Sequence, residues 1–354
     1  MIQKLTKDAI ALLKNLIETE SFSSNEDKTA ELIEKWFRSY DISFKRSENN
    51  VWAINKYFDE SKPTLLLNSH HDTVKPNNGY TKDPFQAIVE DGRLYGLGSN
   101  DAGGCLVSLM ATFTYFYNTK NLKYNLVLVA SAEEESSGEH GLISMLSVIP
   151  NIDVAIVGEP TLMNLAIAEK GLVVFDATVK GTPSHAAHPN SNNPIYKIGE
   201  VLKWFETFHF EKQSEVLGAV KMTVTQIKGG KQHNAVPAEV ELVIDVRVND
   251  QYSNQEIADI LILSSPCTTM QPRSLRLNSS SIPVNHKLVK AGIKLGRKTY
   301  GSPTLSDQAA LSCPSLKLGP GDSTRSHSAD EFIYIHEIEE GIQIYTDLLN
   351  RVII

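Results

Sequence analysis

Three short apolar runs, each ending in side chains capable of chemistry, most limit what this chain can fold into. Residues 64–69 read Thr-Leu-Leu-Leu-Asn-Ser and stop at His70-His71-Asp72. Residues 125–130 read Asn-Leu-Val-Leu-Val-Ala and lead almost at once into Glu133-Glu134-Glu135. Residues 153–157 form a third run, closed by Gly158-Glu159-Pro160. Runs this short and this apolar, set off by turn residues such as Pro63, predict buried strands. Between and around them, residues 4–20, 29–40 and 105–117 carry apolar positions at helical spacing. Apolar strands alternating with helices predict an α/β architecture with a mixed, largely parallel sheet flanked by helices. In such a sheet ligands collect beyond the carboxyl ends of the strands.

Each of these endings has two readings. His70 and Asp72 sit two apart, so on extended backbone they share a face. A carboxylate beside an imidazole fixes its tautomer and raises its basicity, as in a supported metal ligand. The same pair also suits a satisfied structural histidine. His71 alternates to the other face and is given no ligand role. An acidic triplet is ordinarily a solvated surface, but at the end of a core strand it is costly without a cation. Asp101 lies in a glycine-rich turn, residues 96–104, that opens an apolar helix. Glu159 in a turn and His327 in a loop, residues 319–331, are ordinarily structural taken singly.

The pattern changes near Gly171. Residues 172–180 alternate like a half-exposed strand. A helix is predicted over 194–208, strands over 219–227 and 238–248, a helix over 254–263 and a last strand over 274–277. The order β-α-β-β-α-β is that of a ferredoxin-like α+β module, read as an insert. The predicted organisation is residues 1–171, an inserted lid domain at 172–280 with a polar return linker at 278–283, and residues 281–354 completing the first domain.

Net charge is −8 and spread without long runs, which argues against nucleic acid or an anionic membrane as partner. The chain enters an amphipathic helix within its first residues, and no stretch approaches 18 apolar residues. The expectation is no signal peptide and no membrane span. Three scattered cysteines, Cys105, Cys267 and Cys313, fit reduced thiols in a cytoplasm.

Together these segments resemble the M20 family of zinc aminoacylases and peptidases. The matching segments are residues 69–74 (Ser-His-His-Asp-Thr-Val), 96–104 (Gly-Leu-Gly-Ser-Asn-Asp-Ala-Gly-Gly), Ala132 to Glu135, Val157 to Thr161 and the His327 segment, in that order. The resemblance implies two zinc ions, with cobalt or manganese as substitutes. Asp101 would bridge them, His70 and Glu159 would complete one site, and Glu135 and His327 the other. Asp72 would orient His70, Glu134 would be the general base, and Glu133 would be structural. In the insert, His185 in Gly-Thr-Pro-Ser-His would donate to the oxyanion, from the same chain or from a partner subunit. Asn234 and Arg247 would hold the substrate carboxylate, and Gly319 and Gly321 would let backbone approach the substrate. Arg325 is a candidate reader of the acyl side chain, or a solvated arginine. One departure from the family pattern is the small Ala102-Gly103-Gly104, expected to alter the pocket floor. The activity implied is hydrolysis of a small-molecule N-acyl amino acid by a cytoplasmic homodimer joined through the lid, of the type that deacetylates acetylornithine in arginine biosynthesis. Alternatives of the same mechanism are N-acyl-citrulline, N-acetyl-lysine, succinyl-diaminopimelate or a dipeptide. A different class would be a non-catalytic metal- or ligand-binding homologue.

Overall fold

The computed structural model describes residues 1–354. The chain divides into two units: residues 1–167, 281–300 and 306–354 form the first, residues 168–280 and 301–305 the second.

In the first unit Thr64–His70 lies at the centre of the sheet. It pairs in parallel with Asn125–Ser131 on one side and Val154–Val157 on the other. Ser315–Lys317 runs parallel beside Val154–Val157. Every residue of Thr64–His70 and of Asn125–Ser131 is buried. That explains why both runs are continuously apolar instead of alternating. Asn50–Ile54 and Phe44–Ser47 extend one side in antiparallel fashion. On the other side Leu165–Glu169, a strand not anticipated from the sequence, joins antiparallel through Ala166 and Lys317. Its two alanines are weak strand formers, and Ile167 is its one β-branched residue, so the strand signature was faint.

Helices Ile2–Ile17, Asp27–Ser39, Gly104–Phe116, Lys287–Lys294 and Ile335–Ile353 pack against the sheet in this core. Leu13, Ile33, Phe37, Phe113, Phe116 and Tyr345 are completely buried within it. Each such side chain contributes roughly 1.5–3 kcal/mol of burial. Two polar aromatic tips in this core are satisfied: Trp36 Nε1 donates to Thr114 Oγ1 at 3.0 Å, and the Tyr345 hydroxyl donates to the Leu318 carbonyl.

The second unit is a four-stranded antiparallel sheet in the order Lys221–Gly229, Glu239–Val248, Gly171–Lys180, Thr269–Pro272. Helices Pro194–Thr207 and Asn254–Ser264 complete the β-α-β-β-α-β sequence. Phe175, Ile244, Val246, Ile257 and Leu261 are its core. Both helix starts are written into the chain. Asn193 caps the first through Ile195 N with Pro194 behind it, and Ser253 with Glu256 forms a capping box on the second. The last strand is Thr269–Pro272, not 274–277. The Leu275 and Leu277 carbonyls accept from the Asn254 side chain, and a single backbone bond, Leu172 N to the Leu277 carbonyl at 2.9 Å, ties residues 274–277 to the neighbouring strand. No helix is long and apolar enough to cross a membrane.

Candidate metal centre

The carboxyl ends of the parallel strands bring the predicted side chains of the first unit together. His70 is the last residue of Thr64–His70, Glu134 and Glu135 follow Asn125–Ser131, and Glu159 follows Val154–Val157. Asp101 sits in the turn Ser99–Gly103 that opens helix Gly104–Phe116. His327 comes from the loop just after the short helix Ser323–Arg325. The ligand atoms of His70, Asp101 and Glu159 lie within 4.8 Å of one another, and so do those of Asp101, Glu135 and His327. Asp101 belongs to both groups. His70 Nε2 is 3.3 Å from Asp101 Oδ1 and 3.8 Å from Glu159 Oε1. His327 Nε2 is 3.0 Å from Glu135 Oε2 and 3.7 Å from Asp101 Oδ2. Glu134, in neither group, reaches to 3.9 Å from His70 Nε2.

The electrostatics of this cluster ask for positive charge. His70 is 1% exposed, and its Nδ1 lies 2.9 Å from the Asp72 carbonyl and 3.4 Å from Asp72 Oδ1. With the proton held on Nδ1, the Nε2 lone pair faces the Asp101 and Glu159 carboxylates. Burial opposes charge on His70, but Asp101 and Asp72 outweigh it and hold the imidazole well above its ordinary value. The hydrogen bond to Glu135 pushes His327 up to about 9. Burial, with Asp101 beside it, pushes Glu159 up to about 8. Burial also raises Glu134 well above the usual carboxylate range, with Glu159, Asp307 and Glu135 adding to the rise. Two divalent cations fit these demands. Imidazole and carboxylate donors at bond lengths of about 2.0–2.2 Å stand roughly 3.3 Å apart in a tetrahedral shell, near the spacings found. Ions displace the protons that the carboxylates otherwise draw onto the histidines.

Two further carboxylates hold this arrangement in place. Asp72 Oδ1 accepts from Glu134 N at 3.0 Å, and Oδ2 from Glu135 N at 3.1 Å and Ser23 Oγ at 2.6 Å. It therefore fixes both the His70 ring and the backbone of the two glutamates. Glu331 accepts from the Gly98, Asn100 and Asp101 N–H groups. Burial pushes Glu331 up to about 8 against those three donors. Sequence reasoning missed Glu331. Its one signal was an acid set flush against the aromatic strand Phe332–Tyr334. It also missed Asp307, which accepts from Ser131 Oγ at 2.5 Å and is pushed by burial up to about 6. Glu133 turns away from the cluster. Its carboxylate accepts from Ser24 Oγ and His140 N, and its own N–H donates to Glu26. His71 lies between Thr29 Oγ1 and the Asn49 carbonyl, and burial lowers it to about 4.

The remaining predicted residues have protein partners. Arg325 makes a two-point pair with Glu337 at 2.7 and 3.0 Å and lies over the Phe332 and Tyr334 rings. Its fork is taken up in anchoring the His327 loop. Gly319 donates its N–H to Thr161 Oγ1, and a Cβ there would stand 2.5 Å from Cys105 Sγ. Gly321 has φ +88°, and a Cβ there would stand 2.4 Å from Asn100 Oδ1. At both glycines the close approach is to protein. The small residues after Asp101 are close-packed too, since a Cβ on Gly103 would meet the Gly98 carbonyl at 2.5 Å and one on Gly104 would meet Ile333 at 2.3 Å. In the second unit, His185 ends the short strand Ser184–His185, paired with Ala235–Val236. Its Nδ1 accepts from Ala187 N. The Asn234 carbonyl accepts from Ala186 N. Arg247 is bound through Nε and Nη2 to Asp245, two residues earlier on the same strand.

The chain is similar along its whole length to proteins of known name. A succinyl-diaminopimelate desuccinylase of Rickettsia felis is 25% identical over 380 residues, covering 97% of this chain and 100% of that one. An acetylornithine deacetylase of Proteus mirabilis is 28% identical over 377 residues, covering 97% of this chain and 96% of that one. The fold matches the crystal structure of a Bacillus subtilis protein described as a dinuclear metal binding peptidase of the M20 family. That match has a TM-score of 0.75, 15% identity and 98% coverage of both chains. The sequence profile of peptidase family M20/M25/M40 matches residues 66–351, and this chain belongs to that family.

Proposed function

We propose that the protein is a metal-dependent amidohydrolase that cleaves an N-acyl amino acid into a carboxylic acid and a free amino acid. The observation that carries this reading is Glu134: a partly buried carboxylate beside two donor groups that share Asp101, and a member of neither. His70, Asp101 and Glu159 would hold one zinc ion, and Asp101, Glu135 and His327 the other. When bound, the ions polarise the amide carbonyl and make water acidic enough to ionise near neutrality. The chain supplies the proton transfer. As the water oxygen bonds to the carbonyl carbon, Glu134 takes its proton, and the same carboxyl returns that proton to the nitrogen as the C–N bond breaks. Raised by burial, Glu134 is suited to both halves of that exchange. Asp72 keeps the His70 lone pair aimed and the Glu134 backbone still while this happens.

The substrate reading is N-acetylornithine or a close relative, in a cytoplasmic homodimer acting in arginine biosynthesis. It is supported by the resemblance and by the deacetylase and desuccinylase names of the relatives. The oxyanion role of His185 and the carboxylate-binding roles of Asn234 and Arg247 are proposed on the resemblance alone. A hydrolysis panel tests the reading: N-acetyl and N-succinyl derivatives of ornithine, citrulline, lysine and diaminopimelate, with zinc added. Release of free amino acid from at least one is expected. No hydrolysis of any, by zinc-loaded protein, contradicts it.

A further inference from the structure

Glu331 is four residues from His327 in the chain and grips the turn that carries Asp101. Its side chain is 1% exposed. Oε1 accepts from Asn100 N at 2.8 Å and Asp101 N at 2.9 Å, and Oε2 from Gly98 N at 3.2 Å. Its carbonyl accepts from Gly96 N at 3.0 Å. The Asn100 side chain completes the tie from the other direction, donating to the Asp322 carbonyl at 3.0 Å and accepting from Asp322 N at 3.1 Å. Segments 96–101 and 322–331 are thereby a single piece, although Glu331 and Asp101 are 230 residues apart in sequence.

We propose that Glu331 is a positioning residue that sets the shared Asp101 carboxylate and so governs both cation sites at once. This rests on the two-cation reading above. A carboxylate held by three backbone N–H groups is an unusually fixed point. Removing it leaves those three buried donors without an acceptor, and the turn relaxes to find new partners. Because Asp101 is the one side chain common to both donor groups, its displacement loosens both. Loss of His327, by contrast, reaches only the group that contains it.

The test is a zinc titration of apo-protein against a chromogenic chelator, with far-UV circular dichroism and melting temperature recorded on the same samples. Wild type is expected to take two ions per chain. His327→Ala is expected to weaken one site. Glu331→Gln keeps the size of the side chain but replaces one acceptor oxygen with a donor, and is expected to weaken both sites by at least about tenfold with an unchanged circular dichroism spectrum. A residue that merely supports the fold lowers the melting temperature and leaves zinc affinity alone. Wild-type affinity at either site in folded Glu331→Gln therefore overturns the proposal. If that variant does not fold, Glu331→Asp keeps the charge and shortens the reach by one methylene. The same loss at both sites supports the proposal, and wild-type affinity overturns it. A wild-type protein that binds no zinc overturns the two-cation reading and this inference with it.

Discussion

Two carboxylates, one in each unit, are held by donors at similar distances and serve opposite ends. Asp72 in the first unit accepts from two backbone N–H groups and a hydroxyl at 2.6–3.1 Å and is 1% exposed. Asp176 in the second accepts from Arg273 Nε and Nη2 at 2.9 and 2.8 Å, with both side chains more than half exposed. Water competes for every bond at Asp176 and for almost none at Asp72. The exposed pair gives up hydration and side-chain entropy for a screened attraction, so its net effect is small. At the buried one no solvent replaces a lost partner. The geometry of a carboxylate's bonds thus says less about its importance than the access of water to them. The carboxylates that organise the candidate centre, Asp72 and Glu331, are the dry ones.

Four substitutions test whether dry and wet carboxylates differ in this way. The largest effect belongs to Glu134→Gln, which removes the proposed proton carrier and leaves every proposed ligand in place. Turnover is expected to fall by roughly 10²–10⁴-fold with zinc content unchanged, read by steady-state rates and metal analysis on one preparation. Asp72→Asn comes next. It leaves the size of the side chain alone but disturbs His70 and the Glu134–Glu135 backbone together. Zinc affinity is expected to drop by about 10–100-fold, with about 1–3 kcal/mol of stability lost in denaturant unfolding. Arg273→Ala, at the exposed pair, is expected to move the melting temperature by roughly 1 °C or less. A shift as large as that of Asp72→Asn would break the contrast.

The smallest effect is a pH dependence in the second unit. The Ser253 N–H and Lys212 hold Glu256 down at about 2. A depressed carboxylate contributes stability above its unfolded value, near 4.5, and loses it as pH falls through about 2. Wild type and Glu256→Gln are therefore expected to differ in melting temperature at neutral pH and to converge in strong acid. A difference that persists unchanged at the lowest pH would contradict the assignment.

How far the sequence revealed this follows from the same contrast. His70, Glu134 and Glu159 were legible because an unbroken apolar run fixes both the burial of a strand and the place where it ends. Asp101 and His327 lie in loops with no periodic signal, and only the order of the motifs around them pointed to them. Glu331 was not legible, because its partners are backbone N–H groups, which any residue offers, and they lie 230 residues away. Asp307 was hidden similarly, with Ser131 176 residues distant. Residues 274–277 misled because Ser-Leu-Arg-Leu alternates like a strand. The true strand, Thr269–Pro272, has one inward side chain, Met270, and a proline at its end. Arg325 was marked by its place near His327, but position along a loop does not tell where a long side chain finds its partner, here Glu337.

If one aspartate serves two cations, the number of ions carried by Asp101→Asn will show it. Zinc-loaded, desalted wild type is expected to carry two ions per chain by mass spectrometric metal analysis. The Asp101→Asn protein, folded by circular dichroism, is expected to carry neither at full occupancy. Retention of one ion at wild-type affinity by that variant, or a single ion in wild type, would mean that Asp101 is not shared.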